Sequence, residues 1–231
     1  MPTTRTSQTR PPRRAAGNRL LVTAGPTHEP IDAVRYLANR SSGRLGIALA
    51  EAAARTGWTV TLLLGPTPRV CSHSSVRTER FQTTEDLRRL LDRHAPRCDV
   101  LIMAAAVADF RPKTTRATLR GKTRRARTGL TLRLEATPDL LARCGKRKSR
   151  AQFFVGFALE PDRTLLASAR AKLARKRLDL IVANPLRTMD SQEIRATLLA
   201  PQGPPEPTPG RMRKTAFARW LLAQIRARRA R

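Results

Sequence analysis

Three short apolar runs with no charge inside them constrain this chain more than any other feature. They are Leu20–Thr23, Trp58–Leu64 and Val100–Ala108, and the last, nine residues, is the longest. Such runs fit strands buried on both faces, and nine residues fall well short of the roughly 20 that span a bilayer. The segments between them carry a helical period. Ser41-Ser42-Gly43 opens one helix with Leu45, Ala48, Leu49 and Ala52 on one face and Gly57 as its stop. Thr83 or Thr84 caps a second, with Leu87, Leu90, Leu91 and His94 as its apolar stripe. The third strand is expected over Asp99–Ala108. Strand, helix, strand, helix, strand predicts an α/β fold, a doubly wound and mostly parallel sheet of Rossmann-like type.

Around that centre the chain divides simply. Residues 1–18 are polar and rich in Pro and Arg, which predicts a disordered basic tail. A single domain is expected over 19–225, with a second basic tail at 226–231. From Arg111 to Thr128 the apolar signal vanishes and basic residues appear without any acid, which predicts a mobile basic lid. Leu130–Leu134 alternates like a half-exposed strand. Thr137-Pro138-Asp139 reads as a helix start, with Thr as the cap and Pro in the first turn. Further strands are expected over Gln152–Leu159, Leu180–Ala183 and Ile194–Leu199. Further helices are expected over Thr164–Arg177 and through Phe217, Trp220, Leu221 and Ile225.

Forty-six lysines and arginines against 17 acids leave a net charge of +29, and only seven of the 46 are Lys. The excess suits a polyanionic partner. Because the arginines are scattered along the whole chain as well as clustered, a general enrichment of solvated faces in Arg is the favoured explanation. Cys71, Cys98 and Cys144 are too widely spaced for a readable zinc site or disulfide framework. With no apolar signal segment at the N-terminus, a reducing, cytoplasmic setting without a membrane is expected.

Ligands of open parallel sheets collect at the carboxyl ends of the strands. Here those ends are Ala24–Thr27, Ala105–Asp109, Phe157–Glu160 and Asn184. Neither a G-x-G-x-x-G fingerprint nor a P-loop is present. Ser41-Ser42-Gly43-Arg44 offers hydroxyls, free amides and a positive helix end, a phosphate site or merely a cap. Lys172 and Lys176 are four apart and share a helix face, which either faces solvent or binds a polyphosphate. Lys122 lies in the basic loop. Asp109 could meet a ribose or a metal, or cap a turn. Asn39 could orient a carboxylate or cap a helix. His94 reads as packing. The residues alone name no reaction.

Several blocks, in order, resemble one family. They run from Val22-Thr23-Ala24-Gly25-Pro26-Thr27-His28-Glu29-Pro30-Ile31-Asp32 into Val34–Gly43. Met103–Pro112, Thr137–Leu141 and Val155–Glu160 follow, then Lys172-Leu173 and Lys176–Asn184. Together they look like phosphopantothenate–cysteine ligase of coenzyme A biosynthesis, bacterial CTP-dependent type, over about residues 19–184. The resemblance implies a homodimer with a small strand-rich dimerisation and lid region. It implies amide formation between 4′-phosphopantothenate and L-cysteine through an acyl-cytidylate, releasing pyrophosphate and CMP, with Mg²⁺ screening the triphosphate.

Carried over by position, the resemblance puts Arg35, Asn39, Ala105 and Ala106 on phosphopantothenate. Met103, Ala104, Ala105, Asp109, Lys122, Pro138, Asp139, Leu140, Leu141, Phe157, Lys172 and Lys176 would form the CTP site. Asn39 and Lys122 would be catalytic, Ser41, Ser42 and Gly43 would lie near the phosphates, and no metal ligand is assigned.

The chain departs from the family pattern in three places. It has Gly25-Pro26-Thr27 for Gly-Gly-Thr, Lys122-Thr123-Arg124-Arg125 for Lys-x-Lys-Lys, and Pro185–Asp190 for a glycine-containing stretch. Arg124 and Arg125 offer guanidinium groups where the family has lysines. No flavin-dependent decarboxylase half accompanies the ligase half, so a stand-alone ligase with a separate decarboxylase is expected. The competing reading is a nucleic-acid-binding protein on a Rossmann-like scaffold, supported by charge but opposed by an aromatic content of only 4%. A reductase is disfavoured by the missing glycine fingerprint and the lack of a Tyr-x-x-x-Lys pair.

Overall fold

The computed structural model describes residues 18–124, 129–189 and 191–230. Most of the expected N-terminal tail, Arg125 and the neighbouring part of the expected lid lie outside the described residues. In chain order the elements begin with β1 (Arg19–Ala24), β2 (His28–Pro30), β3 (Tyr36–Ala38), α1 (Arg44–Ala54), β4 (Thr59–Leu64) and β5 (Arg77–Arg80). They continue with α2 (Thr84–His94), β6 (Val100–Met103), β7 (Phe110–Pro112), α3 (Arg116–Arg120), β8 (Leu134–Ala136) and α4 (Leu140–Arg147). Then come β9 (Phe153–Glu160), α5 (Leu165–Arg175), β10 (Leu180–Pro185), β11 (Glu193–Ile194) and β12 (Thr197–Leu199). The last are β13 (Glu206–Pro207), β14 (Met212–Arg213) and α6 (Lys214–Arg229).

Eight strands form the main sheet in the order β13-β12-β10-β9-β6-β1-β4-β5. The six from β10 to β5 run parallel, and β12 and β13 add antiparallel pairs at one edge. Chain order runs outward in both directions from β1, through β4 on one side and β6 on the other. The carboxyl ends of β1 and β6 therefore flank the topological switch point, where open α/β sheets bind ligands.

The sheet is covered on both faces because its strands are apolar on both. Leu20, Val22 and Ala24 pack in one core with α1 and α6, while Leu21 belongs to the opposite core with α2, α4 and α5. Val100 and Ile102 against Leu101 and Met103 repeat the pattern, as the two-residue period of a strand requires. Helix α1 lies so close to β1 that a Cβ on Gly46 would sit 2.4 Å from Ala24 Cβ. Gly43, the N-cap of α1, adopts φ 69°, a left-handed conformation that glycine accepts at little cost. Helix α2 is closed by a capping box between Thr83 and Asp86, so Thr83 is the cap.

Several expected boundaries move. The strand expected over Asp99–Ala108 ends at Met103, because the neighbouring strand β1 stops at Ala24 and turns at Gly25 (φ 80°). Residues Leu130–Leu134 form no strand before Leu134, and β8 instead pairs with β7 in the register Pro112↔Leu134. The expected lid thus contains strand β7 at its start and helix α3, not loop alone. Asp139, not Thr137, caps α4 by accepting from the Ala142 amide at 3.0 Å. Ile194–Leu199 divides into β11, which joins β14, and β12, which joins the main sheet. Helix α6 continues to Arg229, so Arg226–Arg229 are helical, and Arg226 and Arg229 stack over the buried Trp58 ring. His94 is more than packing, since its Nε2 lies 3.1 Å from the Glu79 carboxylate.

Candidate active site at the switch point

The turn after β1 and the loop after β6 hold each other. The Ala104 amide donates to Thr23 O (3.2 Å), Ala106 N to Gly25 O (2.9 Å), and Thr27 N back to Ala106 O (3.2 Å). Over this junction lies a cleft in two joined lobes, of about 690 and 230 Å³. Ala105, Ala106, Phe157 and Met189 line both.

The larger lobe gathers Asn39, Met103, Ala105, Ala106, Asp109, Pro138, Asp139, Leu140, Leu141, Phe157, Lys172 and Lys176. The smaller holds Ser41, Ser42, Gly43 and Ala104 beside Arg44, Asn184 and Lys214, with no acid among its described lining residues. Asn39 follows β3 and is no helix cap. Its Nδ2 donates to Val107 O at 2.9 Å, joining the β2–β3 hairpin to the loop after β6.

Arg35 and Lys122, by contrast, are not among the residues lining either lobe. Arg35 is held by the buried Asp32 carboxylate and donates to Thr123 O at 2.8 Å. Asp32 also accepts the amides of Val34, Arg35 and Thr123 at 2.8–3.1 Å. This cluster captures the guanidinium that the resemblance assigns to substrate. Lys122 is exposed beside it.

The Arg35 guanidinium and these amides hold the Asp32 carboxyl well below its ordinary value of 3.8. A depressed carboxyl stabilises the fold fully above its unfolded value and loses that effect as pH falls through the folded one. The Asp32 cluster is therefore expected to stay closed from neutrality down to about pH 4 and to open only in stronger acid. Amide exchange at Thr123, compared between the wild type and Asp32→Asn, checks this. The substitution should speed exchange at neutral pH and remove the acid-induced opening.

Both lysines of the larger lobe have a carboxylate partner. Lys172 Nζ lies 2.5 Å from Glu160, which also accepts from Ser168 at 3.0 Å. The Lys172 bond holds the Glu160 carboxyl below its ordinary range. Lys176 Nζ lies 3.0 Å from Asp139, and Arg175 approaches the same carboxylate at 3.1 Å. Burial works against ionisation of Asp139, but the Ala142 amide and the two cations keep its carboxyl below the usual range. The amino ends of α1 and α4 also face the cleft through Gly43 and Leu140, adding backbone donors for an anion.

Asn184, expected at a ligand-bearing strand end, lines the smaller lobe, and Thr188 beside it was not expected. Asn184 Nδ2 donates to Thr188 Oγ1 at 2.7 Å, and Thr188 in turn donates to Pro185 O at 2.7 Å. The Asn-Pro-x-x-Thr spacing was the available signal. Thr137 Oγ1, freed from capping, donates to Ala108 O. Among the described residues no group of three or more His, Cys, Asp or Glu could hold a metal ion. Cys71, Cys98 and Cys144 are free thiols. No helix of the described residues is long and apolar enough to cross a membrane.

Fold and cleft together define a Rossmann-like α/β protein with a cation-rich cleft at the switch point of its sheet. The chain belongs to the family described as DNA/pantothenate metabolism flavoprotein C-terminal domain, which it matches over residues 15–228. It is 43% identical over 171 residues to a cysteine/cysteine sulfinic acid decarboxylase of an unknown prokaryotic organism, covering 74% of this chain and 46% of that protein. It is 41% identical over 181 residues to the coenzyme A biosynthesis bifunctional protein CoaBC of Mycobacterium bovis, covering 73% of this chain and 42% of the relative. The chain thus spans less than half the length of these relatives.

Among solved structures, the C-terminal domain of a CoaBC protein superposes with a TM-score of 0.75 at 34% identity, covering 90% of this chain and 94% of that one. A Cab2 mutant in complex with phosphopantothenate-cysteine shares the fold, with a TM-score of 0.75 at 21% identity over 93% of this chain and 87% of that one.

Proposed function

We propose that this chain joins 4′-phosphopantothenate to L-cysteine, using CTP and passing through an acyl-cytidylate. The observation that carries the reading is the cleft itself. Apart from Arg35 and Lys122, the residues that the family resemblance assigns to substrate and nucleotide line one continuous groove. The substrate carboxylate attacks the α-phosphorus and pyrophosphate leaves. The cysteine amine then attacks the acyl carbonyl, loses a proton, and CMP departs with the acyl–phosphate bond broken. Lys172, Lys176 and Arg175 stabilise negative charge on the phosphates, and Asn39 orients the acyl group for the second step.

Glu160 and Asp139 are already paired with lysines, and among the described residues no group of three or more His, Cys, Asp or Glu could hold a metal ion. A magnesium ion would arrive on the triphosphate, and no step here is assigned to it. The nucleic-acid reading is not favoured, since family membership and the cleft account for the chain better than its charge does.

The test is pyrophosphate release with purified protein, Mg²⁺, CTP and 4′-phosphopantothenate, with and without cysteine, beside a matched ATP series. Cysteine-dependent turnover that prefers CTP supports the reading. No release with either nucleotide overturns it.

A homodimer is part of the same proposal. Val34, Tyr36, Phe110, Leu130 and Leu134 are all about half exposed or more, along the β2–β3 and β7–β8 hairpins. Exposed large apolar side chains on neighbouring hairpins favour an association surface there. Sedimentation should give the mass of two chains, and Val34→Arg with Phe110→Arg should give one.

A further inference from the structure

We propose that Glu29, Thr84 and Thr27 form a buried relay that positions the loop after β6, with Thr27 as the positioning residue. The loop Ala104–Ala108 carries no polar side chain, so its polar contacts to a ligand come only from its backbone. Its placement must come from other residues. Thr27 Oγ1 accepts the Ala108 amide at 3.0 Å, and Thr23 Oγ1 accepts the Ala105 amide at 3.0 Å. Behind Thr27 lies Thr84, with 3.4 Å between the hydroxyls, and Thr84 donates to Glu29 at 2.6 Å.

All three side chains lie in the interior, at 0% exposure for Thr27, 1% for Thr84 and 3% for Glu29. A buried carboxylate is costly and persists only where its bonds are used. Glu29 also accepts the Thr84 amide at 2.8 Å, which would make it a cap for α2. The Thr83–Asp86 capping box satisfies the Thr83 and Asp86 amides, so Glu29 serves the Thr84 amide and hydroxyl together. The carboxylate fixes the Thr84 hydroxyl as a donor toward itself. The Thr84 oxygen is left to face Thr27, and the Thr27 oxygen to receive Ala108. Polarity thus runs in one direction from the Glu29 acceptor to the cleft wall. Ala108 adjoins both Asp109 and Val107, the residue Asn39 holds.

The activity arm of the test rests on the ligase reading, and the exchange arm does not. Thr27→Val keeps the shape and removes the acceptor, while Thr27→Ser restores it. Amide exchange is read at Ala105 and Ala106, whose own acceptors, Thr23 Oγ1 and Gly25 O, are untouched, and at Leu101 in β6 as the global reference. Thr27→Val should speed exchange at Ala105 and Ala106 about tenfold over any change at Leu101. It should lower kcat about tenfold or more with a smaller change in KM. Thr27→Ser should recover both. If exchange at the two alanines rises only in step with Leu101, or serine fails to rescue, the relay serves stability alone and the proposal is overturned. Should Thr27→Val not fold, Thr84→Val cuts the relay one link further from the cleft and is read in the same way. A wild type without turnover would reject the ligase reading and leave the exchange result standing.

Discussion

Asn39→Asp should lower turnover by about two to three orders of magnitude while leaving the fold intact. The amide Nδ2 of Asn39 donates to Val107 O at 2.9 Å. A carboxylate of the same shape places an oxygen against that carbonyl oxygen, replacing attraction by repulsion. It also adds a negative charge where the proposed ligands are a phosphorylated carboxylate and a triphosphate. Losing one preorganised donor at a reacting centre costs about 3 kcal/mol, and the added charge increases the deficit. Asn39→Ala removes the donor without adding charge and should fall between wild type and Asn39→Asp. Because Asn39 is proposed to act on the acyl-cytidylate, Asn39→Asp should still release pyrophosphate once per site and then stall. Rapid-quench measurement of pyrophosphate against amide product distinguishes this from failure of the first step. Turnover within about threefold of wild type would remove Asn39 from the chemistry.

The parts of the fold that could be read from sequence are those whose signal is local. β1, β4 and β6 are mostly apolar runs free of internal charge, and α1 and α2 carry caps and a regular apolar stripe. β5 escaped notice because Arg77–Arg80 is a charged edge strand that pairs on one side only, with β4. Its short alternation, bounded by Val76 and Phe81, was too weak to separate from a loop. The loop after β6 looked like more strand because its alanines are apolar, yet its bonds to Gly25, Thr23, Thr27, Asn39 and Thr137 give it a shape.

The site divides in the same way. Residues at strand ends were legible because topology sends them to one edge, whereas side-chain partners from distant positions were not. Glu160 lies 12 residues before Lys172, and Asp139 lies 37 before Lys176, so neither pair has a local spacing to reveal it. The capture of Arg35 did have one. Asp32 three residues earlier, accepting the Val34 and Arg35 amides, is an Asx-type turn written in Asp-Ala-Val-Arg.

The two lysines of the larger lobe should differ in importance, and their partners say which matters more. Lys176 shares Asp139 with Arg175, at 3.0 and 3.1 Å. In Lys176→Met the carboxylate keeps a cation, so the loss is one charge-assisted contact to the nucleotide, worth about 1.5–3 kcal/mol. That corresponds to a rise in KM for CTP of about 10- to 100-fold. Glu160 is paired with Lys172 and also accepts from the Ser168 hydroxyl, with no second cation at ion-pair distance shown for it among the described residues. In Lys172→Met the contact is lost and an unneutralised carboxylate is left close to the phosphates.

The larger effect is therefore expected at Lys172, with KM for CTP raised by about 100-fold or more. Adding Glu160→Gln to Lys172→Met removes that carboxylate and should recover part of the loss. The same Glu160→Gln change in the wild-type background frees Lys172 from its partner and should weaken its placement. The double-mutant cycle over these two positions is thus expected to show strong coupling, and the equivalent cycle over Lys176 and Asp139 a weaker one, because Arg175 persists in both arms. Equal effects of the two lysine substitutions, with no recovery on adding Glu160→Gln, would mean that neither carboxylate lies within reach of the bound phosphates.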